Sequence, residues 1–447
     1  MAFFCSPSPG KQRFAPVTVL AGLLVMGACQ TIPVAENVSL TDRVMKVSVG
    51  SADKVEDYSQ DFQYASGYDA SAFLTAHHAT ITGDIDTAAN RYTVALSSDP
   101  DSNRLLERSF RSLYLAGQIE NASAIAATLN NMGTPISLGS EPATAIAAQN
   151  RDWARLEVVA RNLTEDTDGV ILGTLLEAWA FAFQGRADAG LSRLMELNNG
   201  SEPPEMLFSQ VALMLDYLGK TDDAAEAARI ASSRNSSDTD TAIIMAGVLA
   251  RNNARAEAIT LIEQKLNDYY SRQQLIMRLK SGQSSLLIKP SPDVILANAS
   301  ADVALIKGSS LISRITRLRL AVYLNASFDR AHFHLGRVLR QANMIEEAMQ
   351  HHQRVRQSSP WYQPARVLLG LYHSGTKRDF DAAHAIFTAM IEADPTNPLP
   401  LRFAGNNARR HDRFEEAMVF YDKAIEQGGA TPKVTFTRGI ALEHRRR

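Results

Sequence analysis

The sequence predicts an all-α solenoid, a superhelix of stacked antiparallel helix pairs. A glycine, an alanine and a proline return about every 34 residues, and the residues around them alternate between two helical stretches. The first unit, 69–102, is complete, with Ala76, Gly83, Ala88, Tyr92, Ala95-Leu96 and Pro100. Small residues belong where two helices touch too closely for a larger side chain, and a glycine suits the turn that reverses the chain. Proline ends the second helix and opens the next unit.

The same pattern predicts the later elements in order. Unit 103–136 keeps Phe110, Gly117 and Ala122, and 171–204 keeps Ala178, Gly185 and Leu194, with Gly190 in the alanine's place. Unit 205–238 has Ala212, Gly219, Ala224 and Ala231. Unit 239–272 has Ala246 and Ala258, with Asn253 at its turn, a residue that tolerates left-handed backbone. Unit 295–328 is degenerate and keeps only Leu318 and Ala321-Val322. The units 329–362, 363–397 and 398–431 are clear again, with Gly336, Ala348 and Pro360, then Gly370, Ala383 and Phe387, then Gly405, Ala417 and Tyr421. Between 137 and 170 a shorter helix pair is expected around 143–150 and 153–162.

These residues resemble the tetratricopeptide repeat (TPR) family. The resemblance implies a right-handed superhelix that binds protein or peptide partners along its concave face. In such proteins the first helix of each repeat lines that face through its second, fifth, ninth and twelfth positions. Here those are Arg330, Phe333, Arg337 and Arg340, then Val367 and Leu371, then Leu399, Arg402, Asn406 and Arg409, with Arg410 alongside. The expectation is an apolar floor between arginine walls. A guanidinium binds carboxylates in a bidentate fork, so an acidic peptide or a free C-terminus is the expected ligand. The same arginines would equally keep a helix face soluble.

Charge supports that direction. The whole chain is close to neutral, at −2, which points away from nucleic acid. Residues 301–447 nevertheless hold 22 Lys+Arg against 14 Asp+Glu, while the rest holds 24 against 34.

Residues 1–29 read as an address. Lys11 and Arg13 precede a short apolar run from Ala15 to Met26, and Gly27 and Ala28 precede Cys29. The layout resembles the lipobox of bacterial lipoproteins, in which cleavage leaves the cysteine as a lipid-bearing first residue; Met26 stands where leucine is usual. By the same resemblance Cys29 is the lipidation site, and Gln30 after it favours the outer membrane, facing the periplasm. The competing reading is an ordinary cleaved signal with an incidental cysteine. Cys5 and Cys29 are the two cysteines of the chain, so a mature chain has no disulfide and no thiol metal site. Residues 30–68 read as a flexible tether.

The expected organisation is therefore signal 1–29, tether 30–68, an N-terminal repeat segment 69–280, a connecting loop 281–294 and a C-terminal segment 295–447. The 22 residues between units 272 and 295 read either as a hinge or as a helix extension plus connector. Residues 432–447 match the first helix of a further repeat, which suggests truncation or, failing that, an end that docks another chain.

No catalytic constellation, cofactor motif or metal site is expected. His77-His78, His332/His334 and His351-His352 lack the spacing of three or four that puts two imidazoles on one helix face. They read as surface or satisfied histidines. Glu346-Glu347 and Glu415-Glu416 sit near helix N-termini, where the macrodipole favours them. The function expected is a membrane-anchored scaffold in the bacterial envelope; a chaperone-like module capturing acidic or C-terminal segments of exported chains is the alternative.

Overall fold

The structure is a computed structural model, and it describes residues 69–163, 166–199, 204–234, 238–267, 272–282 and 291–445. The signal, Cys29 and the tether lie outside the described residues. Among those described there are 22 α-helices and no strand.

Six helix pairs come first. They are α1 (Ala70–Thr82) with α2 (Ile85–Ser98), α3 (Asn103–Leu115) with α4 (Ile119–Asn131), and the short α5 (Glu141–Gln149) with α6 (Trp153–Arg161). Then come α7 (Thr167–Phe183) with α8 (Ala187–Met195), α9 (Leu207–Tyr217) with α10 (Thr221–Arg234), and α11 (Thr239–Arg251) with α12 (Arg255–Lys265). A single helix α13 (Arg272–Lys280) occupies part of the predicted gap. Four more pairs follow: α14 (Pro292–Ala304) with α15 (Leu311–Leu324), α16 (Asp329–Gln341) with α17 (Ile345–Arg354), α18 (Tyr362–Tyr372) with α19 (Phe380–Ala393), and α20 (Pro398–Arg410) with α21 (Phe414–Ala424). The last helix is α22 (Pro432–Arg445). This is the predicted solenoid of TPR-type helix pairs.

The turn residues act as their chemistry requires. Gly83 and Asn253 adopt φ of +80° and +62° in the reversals after α1 and α11, the left-handed region that favours those two residue types. The glycines inside first helices have a different task. A Cβ on Gly405 would stand 2.6 Å from the Tyr421 ring, so α20 and α21 approach this closely because Gly405 has no side chain. Pro292 sits at the first turn of α14, where a missing N–H costs nothing, and it starts the helix three residues before the predicted unit at 295.

First helices of successive pairs touch one another, as α9 does α11, α18 does α20 and α20 does α22, and they form the inner rim. That rim is not open along its whole length. The pair α14–α15 lies against the inner helices of the first segment, α14 on α5 and α7, α15 on α3 and α5. Every residue from Ile295 to Ala304 is buried, and so is every one from Ile315 to Ala321. One apolar core consequently runs from Ala72 to Ala365 without a break between the two predicted segments. Smaller clusters hold α18 to α22.

Candidate partner-binding face

Two sets of arginines sort themselves by what surrounds them. The first set is internal. Arg317 on α15 is fully buried, and its Nε donates to Glu141 Oε1 at 2.8 Å. Its Nη1 and Nη2 reach Asp168 and Asp166 at 3.3 and 3.2 Å. Tyr114 donates to the other oxygen of Glu141 at 2.7 Å. Burial pushes the Glu141 carboxyl up, and the Arg317 charge only partly counters it. Arg319, two residues on, donates from Nε to the Leu115 carbonyl at 3.0 Å.

Arg330 belongs to this internal set as well, which corrects its expected place in an open groove. It is 3% exposed and donates to Asp240 Oδ2 at 3.0 Å and Asn298 Oδ1 at 2.7 Å, with Asp302 as a further partner. Asp240 also accepts from Trp361 Nε1 at 2.8 Å and contacts His334. Burial raises the Asp240 carboxyl, but His334 and Arg330 reverse that and hold it below the usual carboxylate range. Phe333 and Val367 are likewise buried and line no open surface. The reason is common to Arg330 and Phe333. The first turns of α16 face the first segment, where α11 and α14 supply Asp240 and Asn298 to Arg330, while Arg337 and Arg340 farther along the helix stay exposed.

Four histidines expected to be at the surface or satisfied are buried and come together from two helices. His332 Nε2 lies 2.9 Å from the Ala326 carbonyl and therefore carries the proton, so His332 Nδ1 accepts from His351 Nδ1 at 2.8 Å. His351 Nε2 then accepts from Arg319 Nη1 at 3.2 Å. His334 and His352 are the other two. The described residues contain no group of three side chains placed to hold a metal ion.

The second set of arginines faces outward from the inner rim of the last repeats. Arg337 and Arg340 are exposed, Arg402 and Arg409 half-buried and Arg410 exposed. Arg337 lies over the Phe333 ring at 5.6 Å, and Arg402 over Phe403 at 5.0 Å. Leu371 is half-buried, and Asn406 accepts from the Tyr421 hydroxyl at 2.9 Å. Arg366 on α18, which the positional rule missed by one residue, lies over Tyr362 at 4.7 Å. Its helix and α20 carry four arginines and no carboxylate, whereas the second helices α17, α19 and α21 carry Glu346, Glu347, Asp381, Glu392, Glu415, Glu416 and Asp422. None of Arg337, Arg340, Arg366, Arg402, Arg409 or Arg410 has a carboxylate partner among the described residues. The buried Nε atoms of Arg366, Arg402 and Arg409 have no hydrogen-bond acceptor there either.

Fold and site together define a helix-pair solenoid of the TPR type with a basic inner face on its last repeats. No family model and no curated protein matches the chain. Among solved structures it is similar to a chain of Naa15/Naa10 bound to HypK-THB, at 13% identity, TM-score 0.32, over 84% of this chain and 69% of that one. It is also similar to yeast Tom70, at 13% identity and TM-score 0.25, over 84% of this chain and 88% of that one. A third is the APC/C hetero-tetramer Cut9–Hcn1, at 10% identity and TM-score 0.26, over 84% and 83%. At these scores the likenesses say nothing of partner or site.

Proposed function

We propose that this chain is a scaffold of the bacterial envelope, lipid-anchored at Cys29, that holds an acidic protein partner on the inner face of α16, α18 and α20. One observation carries the reading: α18 and α20 carry arginines and no carboxylate while the second helices beside them carry the carboxylates, and Arg337, Arg340, Arg366, Arg402, Arg409 and Arg410 lack the carboxylate partners that the internal Arg317, Arg319 and Arg330 have. A basic guanidinium kept half-buried without an acceptor is costly unless a partner supplies one. A stable acidic partner bound there would pair with these guanidinium groups and be drawn in by the local field. Membrane anchoring rests on the lipobox-like residues before Cys29 alone.

The test is to purify the tagged protein from crosslinked envelopes beside an Arg402→Glu/Arg409→Glu variant. A single stoichiometric partner, lost in the variant and weakened by salt, supports the scaffold. Partners unchanged by the variant would remove the basic face from the interaction. Radiolabelled palmitate incorporation, abolished by Cys29→Ser, tests the anchor separately.

A further inference from the structure

Where the first repeats meet α16 and α17, a line of hydrogen bonds crosses from one to the other. Arg319 on α15 donates from Nε to the carbonyl of Leu115, at the end of α3, at 3.0 Å. Its stem lies so close to the α3–α4 turn that a Cβ on Gly117 would stand 3.0 Å from Arg319 Cδ. Its Nη1 donates to His351 Nε2 on α17 at 3.2 Å, and His351 Nδ1 donates to His332 Nδ1 on α16 at 2.8 Å. The line ends where His332 Nε2 donates to the Ala326 carbonyl at 2.9 Å. Arg319, His332 and His351 are all buried. The α1–α2 and α16–α17 turns also meet, Gly83 against Met344.

This line has no room for another proton. Each gap holds one hydrogen, and both ends are fixed, because a carbonyl only accepts and a guanidinium only donates. A further proton on His332 Nδ1 would face the N–H of His351 across 2.8 Å. On His351 Nε2 it would face the N–H of Arg319 across 3.2 Å. A change of tautomer at His351 only moves the conflict from one gap to the other. Uptake of a proton therefore breaks a link. Glu347 lies 3.8 Å from His351 Nε2 and is paired with Arg319, so it is the acceptor to which a protonated His351 turns. Asp329 on α16 favours a proton on His332, whereas Arg354 and Arg356 oppose it. Arg319 on α15 opposes one on His351, and a charge there opposes one on His352. From α3 the line receives the uncharged Leu115 carbonyl.

We infer that this line is an acid-released latch: a proton taken up by the His332–His351 pair breaks the Arg319–His351 link and frees α17 from the turns of the first repeats. The latch depends neither on the acidic partner nor on the membrane anchor proposed above. Burial lowers both rings, His351 to about 4 against 6.5 for the free side chain. The closed form is fully favoured above pH 6.5 and loses that advantage as pH falls toward 4. A ring released to titrate at 6.5 favours the open form about thirtyfold more at pH 5 than at pH 7.5.

Amide exchange of the full chain is measured at pH 7.5 and pH 5 and expressed as protection factors, so that the intrinsic pH dependence of exchange cancels. Residues 345–354 and the turns at 82–85 and 115–119 should lose protection by about thirtyfold at pH 5, while α7 and α9 keep theirs. His351→Gln, whose amide takes up no proton in this range, should hold its protection between the two pH values. His352→Gln should leave the acid response in place. Unchanged protection of those three stretches in the unmodified protein overturns the inference, and so does a loss shared equally by α7. An acid response that survives His351→Gln overturns it too. The comparison on the unmodified protein is decisive whether or not that variant folds.

Discussion

At the scale of single residues, the interior of this protein depends on charges that have no access to water. Glu141 is buried with Arg317 as its counter-charge, and removing the guanidinium leaves an unpaired carboxylate. Breaking such a pair from one side costs about 3–5 kcal/mol. Arg317→Met should lower the denaturation midpoint sharply, and adding Glu141→Gln should restore part of the loss. Equal midpoints for Arg317→Met and the unchanged protein would show that the pair contributes nothing. The histidines make a second prediction, of opposite chemical sense. Burial lowers His351 and His352 to about 4, against 6.5 for the free side chain, with Arg319 and His332 repelling a proton on His351 while Glu347 attracts one. Arg337 and Arg340 repel one on His352. Because the folded values lie below the unfolded ones, their contribution is complete above pH 6.5 and is lost as pH falls toward 4. Each histidine should remove on the order of 2 kcal/mol between pH 6.5 and pH 5. Thermal midpoints measured across that window should fall, and His351→Gln should flatten the fall.

At the scale of helices, the glycine seam governs how closely pairs can pack. Gly405→Ala places a methyl group 2.6 Å from the Tyr421 ring as the helices now stand. Either α20 and α21 separate or Tyr421 leaves its rotamer, at about 1–3 kcal/mol. Amide exchange should quicken across 398–424 and leave α1–α8 unchanged; a uniform response along the chain would contradict a local seam. The α14–α15 pair shows what an element looks like when it must pack on every side. A solenoid helix normally keeps one polar face, but α14 is apolar or small nearly all round. The repeat pattern at 295–328 is degenerate for that reason: its residues answer to α3, α5 and α7 as well as to each other.

For the whole molecule, one core from Ala72 to Ala365 contrasts with the small clusters of the last helices. Stability in a repeat array is shared between neighbours, and α14–α15 adds contacts that bypass the chain order. Protection against exchange should therefore be highest and most uniform from α3 to α16 and drop stepwise from α18 onward. Exchange measured by mass spectrometry would contradict this if the last repeats proved as protected as α7. The helix pairs, their turns and their order were legible in the sequence, because period, glycine, asparagine and proline act over a few residues at a time. The outward-facing half of the candidate face was legible too, since Arg337, Arg340, Arg402 and Arg409 follow from helical spacing. Arg330, Phe333 and Val367 are buried where an open groove was expected, and the outward Arg366 was missed, because spacing names a helix face without saying what will lie on it. Whether α16 meets water or Asp240, 90 residues earlier, depends on how far the curvature of many stacked pairs carries the chain around. That sum of small rotations has no signature in any one repeat, so only the tertiary structure decided which arginines are internal and which face outward.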